Sequence, residues 1–306
     1  MRAKAIVKIC ICGTIALVLA SVLVSLLALP RVLDWKIGDL SFHWIDDHGS
    51  DEGYTVGEAS VSGEVRELDV SWLSGSVTVE LTDGDAVTLR EEPQPESSDA
   101  RMRWKLQDGK LTVYSQKSGL TIPTRAKQLT IGIPAGRAGK LQKLSLDLSA
   151  ASASLPALTL RELELDSVSG SVTLTGGSYE NLDFDSTSGD LTVTDAAVGE
   201  LSADTTSGSL TLGGAFETVD FDTTSGALHL TTSILPRDIS CDTVSGGVTL
   251  TLPENGGFSA TLDSVSGDLT VDGFAGSLHR DEFVYGQGGP AYEFDSVSGD
   301  VHIRCA

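Results

Sequence analysis

One five-residue unit recurs down the chain, and it limits the fold more than any other feature. Residues 166–170 read Asp-Ser-Val-Ser-Gly, and close variants end at Gly189, Gly208, Gly226, Gly246, Gly267 and Gly299. The steps between these glycines are 19, 19, 18, 20, 21 and 32 residues. A period near twenty marks a repeat architecture, in which one unit cannot bury its apolar side chains and stacked neighbours can. Before each glycine, Leu163, Leu165 and Ser167 alternate with Glu164 and Asp166, the period of a strand. After it the aliphatic positions shift phase, to Val172 and Leu174, so a corner lies at the Ser-Gly pair. Glycine's tolerance of unusual backbone angles suits a turn or bulge there. No helical segment separates the units, which excludes ordinary strand–helix–strand crossovers. The expected fold is all-β, a parallel β-solenoid (β-helix) of 19–21-residue rungs preceded by one transmembrane helix. The alternative is an antiparallel sandwich with each Ser-Gly pair at a hairpin tip.

Stacked rungs would align Asp166, Asp185, Asp204, Asp222, Asp242, Asp263 and Asp295 in one column, about 4.8 Å apart. Like charges at that spacing need compensation. Hydrogen bonds from nearby backbone N–H groups or serine hydroxyls are the plain solution. Calcium between adjacent rungs is the sharper one, with Asp185, Asp204, Asp222 and Asp242 as candidate ligands. The glycine- and aspartate-rich nonapeptide of calcium-binding β-rolls is absent, and no cofactor is expected.

Charge divides the chain. Formal net charge is −22. Residues 166–306 hold 22 acidic and three basic side chains, whereas residues 90–143 hold eleven basic and five acidic ones. The acidic half would repel nucleic acid, and no nucleic-acid-binding signature is present. Four cysteines show no Cys-x-x-Cys pair, and the sequence leaves open a disulfide between Cys241 and Cys305.

The N-terminus reads as a membrane anchor. Residues 9–29 carry no charge and are long enough to span a bilayer as a helix, with Arg2, Lys4 and Lys8 before them. The positive-inside rule leaves residues 1–8 in the cytoplasm and exports the rest. Residues 30–60 form a linker or cap, and 61–306 the repeat domain. The expected location is a single-pass cell-membrane protein with its C-terminal domain outside the cytoplasm.

From residue 61 the pattern is more worn. Residues 65–79 read as an early rung, with Trp72 near the place of the later aspartates. Residues 150–155 read as another, with Ala153 where glycine would stand. The order of these segments, then Leu111-Thr-Val113, then Leu129-Thr-Ile-Gly-Ile-Pro134, then Ser-Gly rungs, resembles the bacterial DUF4097 family of β-strand-repeat proteins, often labelled adhesins. The resemblance covers residues 61–306. It implies a β-solenoid on the outer side of a bacterial membrane, in some relatives associated with envelope stress. It supplies no catalytic residues.

Little chemistry is visible. His229 and His302 fall at outward positions of the post-glycine strand, and no Gly-x-Ser-x-Gly elbow or phosphate loop occurs. The 32-residue step holds an insertion, residues 272–291, with His279, Arg280, Phe283 and Tyr285 as candidate binding-loop residues. The bland account of that insertion is a flap over the last rung. The reading is a non-enzymatic, membrane-anchored module for surface binding or adhesion, or for envelope-stress sensing and scaffolding. The expected partner is a cell-envelope polymer or protein. A calcium-stabilised carbohydrate-binding module is the alternative, and a polysaccharide-active enzyme a weaker one. Self-association through the C-terminal rung edge is a further expectation.

Overall fold

The computed structural model describes residues 50–119, 125–279 and 281–306. Each rung bends once at the Ser-Gly corner, so it contributes a first strand to one face and a second strand to the other. Ser178–Ser186 (first face) and Leu191–Thr194 (second face) make one rung, and the chain then runs directly into the next first-face strand. Equivalent residues stack in register: Asp185 faces Asp166 below and Asp204 above. Inward positions build continuous apolar columns. Phe184, Ala203 and Phe221 follow one another in one column, large beside small, and all three are buried. Leu191, Leu210 and Leu228 do the same on the other face. No rung could bury these side chains alone; together they line one core.

The glycine at the corner has a reason other than the one its residue type suggests. A Cβ at Gly170 would lie 1.5 Å from the Ala151 carbonyl oxygen, and one at Gly208 would lie 2.0 Å from the Gly189 carbonyl oxygen. Neither residue has a positive φ. Close approach of one rung's backbone to the next therefore requires glycine, not backbone strain. The same alignment puts Ala151, not Ala153, in the glycine column, since Ala153 stacks on Val172. Trp72 likewise sits one residue past the aspartate column. It pairs with Leu148, is fully buried, and donates its indole N–H to the Lys127 carbonyl at 3.0 Å.

The expected solenoid of coils stacked in chain order is corrected on two counts. First, bent strands serve both faces, so Lys143–Leu155, Thr159–Ser167, Ser178–Ser186, Leu191–Thr205 and Val172–Thr175 close into a ring of five strands, all paired parallel. Second, stacking order departs from chain order at both ends. Residues 67–82 lie between two strands on one side, 110–114 and 127–134, and 143–155 on the other. The last rung, 291–305, inserts between 238–252 and 257–272. Antiparallel strands cover the N-terminal end and the first face of the C-terminal end: Thr55–Val56 and Ala59–Val61 pair with Arg103–Gln107 and Val87–Glu92, and Glu282–Gly286 pairs with Gly257–Ser264. The transmembrane helix expected at residues 9–29 lies outside the described residues, and no described helix is long and apolar enough to cross a membrane.

The worn N-terminal rungs are closed by a buried ion pair. Lys127 Nζ sits 2.7 Å from Glu91 Oε1, donates to the carbonyls of Ala100 and Ser115, and lies over the Trp72 ring. Glu91 also accepts the Met102 N–H at 3.1 Å. Both charges are almost wholly removed from water and both are satisfied.

Candidate functional site

The corner decides what the outer surface carries. At each Ser-Gly turn the residue just after the aspartate, Ser or Thr, points inward. Its hydroxyl accepts the N–H of the glycine three residues on: Thr205 from Gly208 at 2.8 Å, Thr223 from Gly226 at 2.8 Å, Thr243 from Gly246 at 2.7 Å. The serine just before the glycine donates outward along the stack, as Ser207 does to the Thr187 carbonyl at 3.2 Å and Ser188 to that of Val168 at 3.1 Å. The local polar groups are thus satisfied without the aspartates. The turn chemistry expected of Asp belongs to its neighbour, and the carboxylates are left facing solvent.

They form an unbroken column. Asp147, Asp166, Asp185, Asp204, Asp222, Asp242, Asp295 and Asp263 stack in that order, one per rung. Two residues earlier a second outward column adds Glu164, Asp183, Asp220 and Glu293 among serines. Partial burial, with repulsion from neighbours, raises the carboxyl pKa values. Asp222 is pushed up to about 7 by desolvation first, then by Asp242, Asp204 and Asp220. Asp185 and Asp295 each rise to about 6, again by desolvation first and then by neighbouring carboxylates. Asp166, Asp204 and Asp242 are raised as well, by desolvation above all. At the margin of this face, Lys143 bridges Glu162 and Glu164, Arg161 meets Glu180, and Arg237 meets Glu217.

The four calcium candidates, Asp185, Asp204, Asp222 and Asp242, are therefore brought into one column. Among the described residues no group of three or more His, Cys, Asp or Glu side chains gathers as a metal cage. The insertion candidates scatter. Phe283 is buried and Tyr285 half-buried, both packed on Phe258, with ring centroids 5.7 and 6.0 Å away. His279 is exposed at the end of Ser277–His279, and Arg280 lies outside the described residues. The insertion is a hairpin laid antiparallel over Gly257–Thr261, so it covers the first-face edge. Its aromatic residues serve packing rather than display. Cys241 is buried and Cys305 half-buried, and both are free thiols.

A feature missed in the sequence lies at the second-face end of the stack. Among the described residues, Leu269–Asp272 pairs on one side only, with Val301–Cys305. The one signal for it was that the repeat stops, and chain order pointed to the wrong rung.

No curated protein matches the chain. Among solved structures, a supposed lipid-binding protein from Parabacteroides distasonis is 15% identical with a TM-score of 0.47, the match covering 83% of this chain and 97% of that one. A supposed adhesin from Bacteroides fragilis is 13% identical with a TM-score of 0.40, covering 83% and 98%. The family model of Toastrack DUF4097 matches residues 65–304. With more than half of its length matched, the chain belongs to the Toastrack DUF4097 family.

Proposed function

We propose that the chain is a non-catalytic binding scaffold, displayed outside the cytoplasm, whose acidic face holds a cationic partner of the cell envelope. The unbroken aspartate column carries this reading. Catalytic groups converge at a local break in a scaffold, whereas this column repeats one carboxylate per rung from Asp147 to Asp263. A rigid row of negative charges about 4.8 Å apart suits a partner that is itself extended and positively charged. The family's membership among proteins labelled adhesins fits such a role.

The test is retention of the purified full-length protein on isolated cell envelope, at low and high salt. Retention should fall steeply as salt rises, because surface attraction is screened. Asp185→Asn with Asp204→Asn should weaken it several-fold while the fold persists. Retention that ignores both salt and these substitutions would end the proposal.

A further inference from the structure

The second-face edge, Leu269–Asp272, carries a pairing pattern that stops in mid-air. In each rung the N–H two residues after the glycine donates to the carbonyl one residue after the glycine of the rung above. Val172 donates to Asp190, Leu191 to Ser209, Val248 to Asp300 and Val301 to Asp268, at 2.8 to 3.1 Å. Leu269 holds the same position in the outermost rung, and among the described residues no rung lies beyond it. A second contact runs the same way. The side chain one residue after the glycine accepts the N–H of its counterpart above: Asp190 from Ser209 at 2.8 Å, Ser209 from Ala227 at 3.3 Å, Asp300 from Asp268 at 3.0 Å. Asp268 occupies this position in the outermost rung. Its carboxylate stands where a further strand's N–H would arrive.

We propose that this edge is a strand-addition site for an extended, basic segment of a partner protein. One residue of such a segment would meet both open positions, its N–H on the Asp268 carboxylate and its carbonyl on the Leu269 N–H. Apolar residues on alternate positions would complete the core over Leu269 and Val271, which are only half covered here.

Charge selects the occupant. The outward residues of the edge are Asp268, Thr270 and Asp272, and no lysine lies in the two outermost rungs. The neighbouring basic side chains are engaged: His302 Nε2 meets Asp272 at 2.8 Å, and Arg304 Nε donates to Thr251 at 2.9 Å. Lysine or arginine opposite Asp268 and Asp272 would pair with them. A second copy of this chain fits badly. Antiparallel pairing that matches Leu269 with Val271 across the two copies would set Asp268 directly opposite Asp272, twice. Such charges are what natural edges use to prevent self-pairing. This surface is separate from the acidic face.

The test uses the purified full-length protein and two short synthetic peptides, one alternating valine with lysine and one alternating valine with glutamate. The lysine peptide should bind saturably at the edge and the glutamate peptide should not. Leu269→Pro removes the outward N–H and should abolish binding with little change in melting temperature. Asp268→Lys with Asp272→Lys should reverse the preference, which keeps the test intact if the proline variant folds poorly. Binding of both peptides alike, or a lysine peptide unaffected by either variant, overturns the proposal. So does a dimer in sedimentation that the edge variants dissolve, because the edge would then be covered by a second copy.

Discussion

Asp222 offers the sharpest test of the acidic column. In the folded protein its pKa is pushed up to about 7, against an ordinary value of 3.8. A raised carboxyl pKa means that the folded state holds a proton which the unfolded chain has already released. Between about pH 4 and pH 7 the folded state therefore binds more protons, and stability falls as pH rises through that window. At pH 8 the whole penalty is present; below pH 4 none of it is. At about 1.36 kcal/mol for each tenfold change in proton affinity, the full rise would correspond to about 4 kcal/mol. Asp222 is half-buried, so solvent screens the repulsion from Asp204 and Asp242, and about 1–2 kcal/mol is the sober magnitude. Asp222→Asn keeps the shape and removes the charge. It should raise stability by about 1–2 kcal/mol at pH 8, a few degrees in melting temperature, and by close to nothing at pH 4. Circular dichroism melts of both proteins at the two pH values measure this. The gain should shrink in high salt. A variant that melts no higher than the parent at pH 8, or that gains equally at pH 4, would refute the reasoning.

Two further outcomes follow from the packing. Gly208→Ala should cost about 1–3 kcal/mol or more in a denaturant titration, because the new methyl would lie 2.0 Å from the Gly189 carbonyl oxygen and backbone must shift; an unchanged midpoint would show that the rungs part easily. Lys127→Met leaves Glu91 charged and buried without its cation, and should destabilise the N-terminal rungs by about 3–5 kcal/mol, whereas Lys127→Met combined with Glu91→Leu should recover most of the loss.

The period, the two strands per rung and the column of aspartates were all legible, because each rests on side-chain alternation that the repeat writes out copy by copy. The hydrogen bonds at the corner were not. Asp166 and Ser167 are both able to cap a turn, and only the inward direction of Ser167, fixed by the phase of Leu163 and Leu165, hands it the Gly170 N–H at 2.9 Å. The glycine was legible as necessary and illegible in its reason, since a turn and a close backbone approach select the same residue. Stacking order was the least accessible part. Every rung offers the same ladder of N–H and carbonyl groups on its upper and lower edges, so the rung at 291–305 finds an equally good partner in 238–252 or in 257–272, and it takes both. What decides is the hairpin between them: once Glu282–Gly286 lies antiparallel on Gly257–Ser264, that edge is occupied and the following strand must enter from the other side. The insertion is thus what sets the order of the last two rungs, and by doing so it turns Leu269–Asp272 outward, making the penultimate copy of the repeat, not the last, the terminus of the second face.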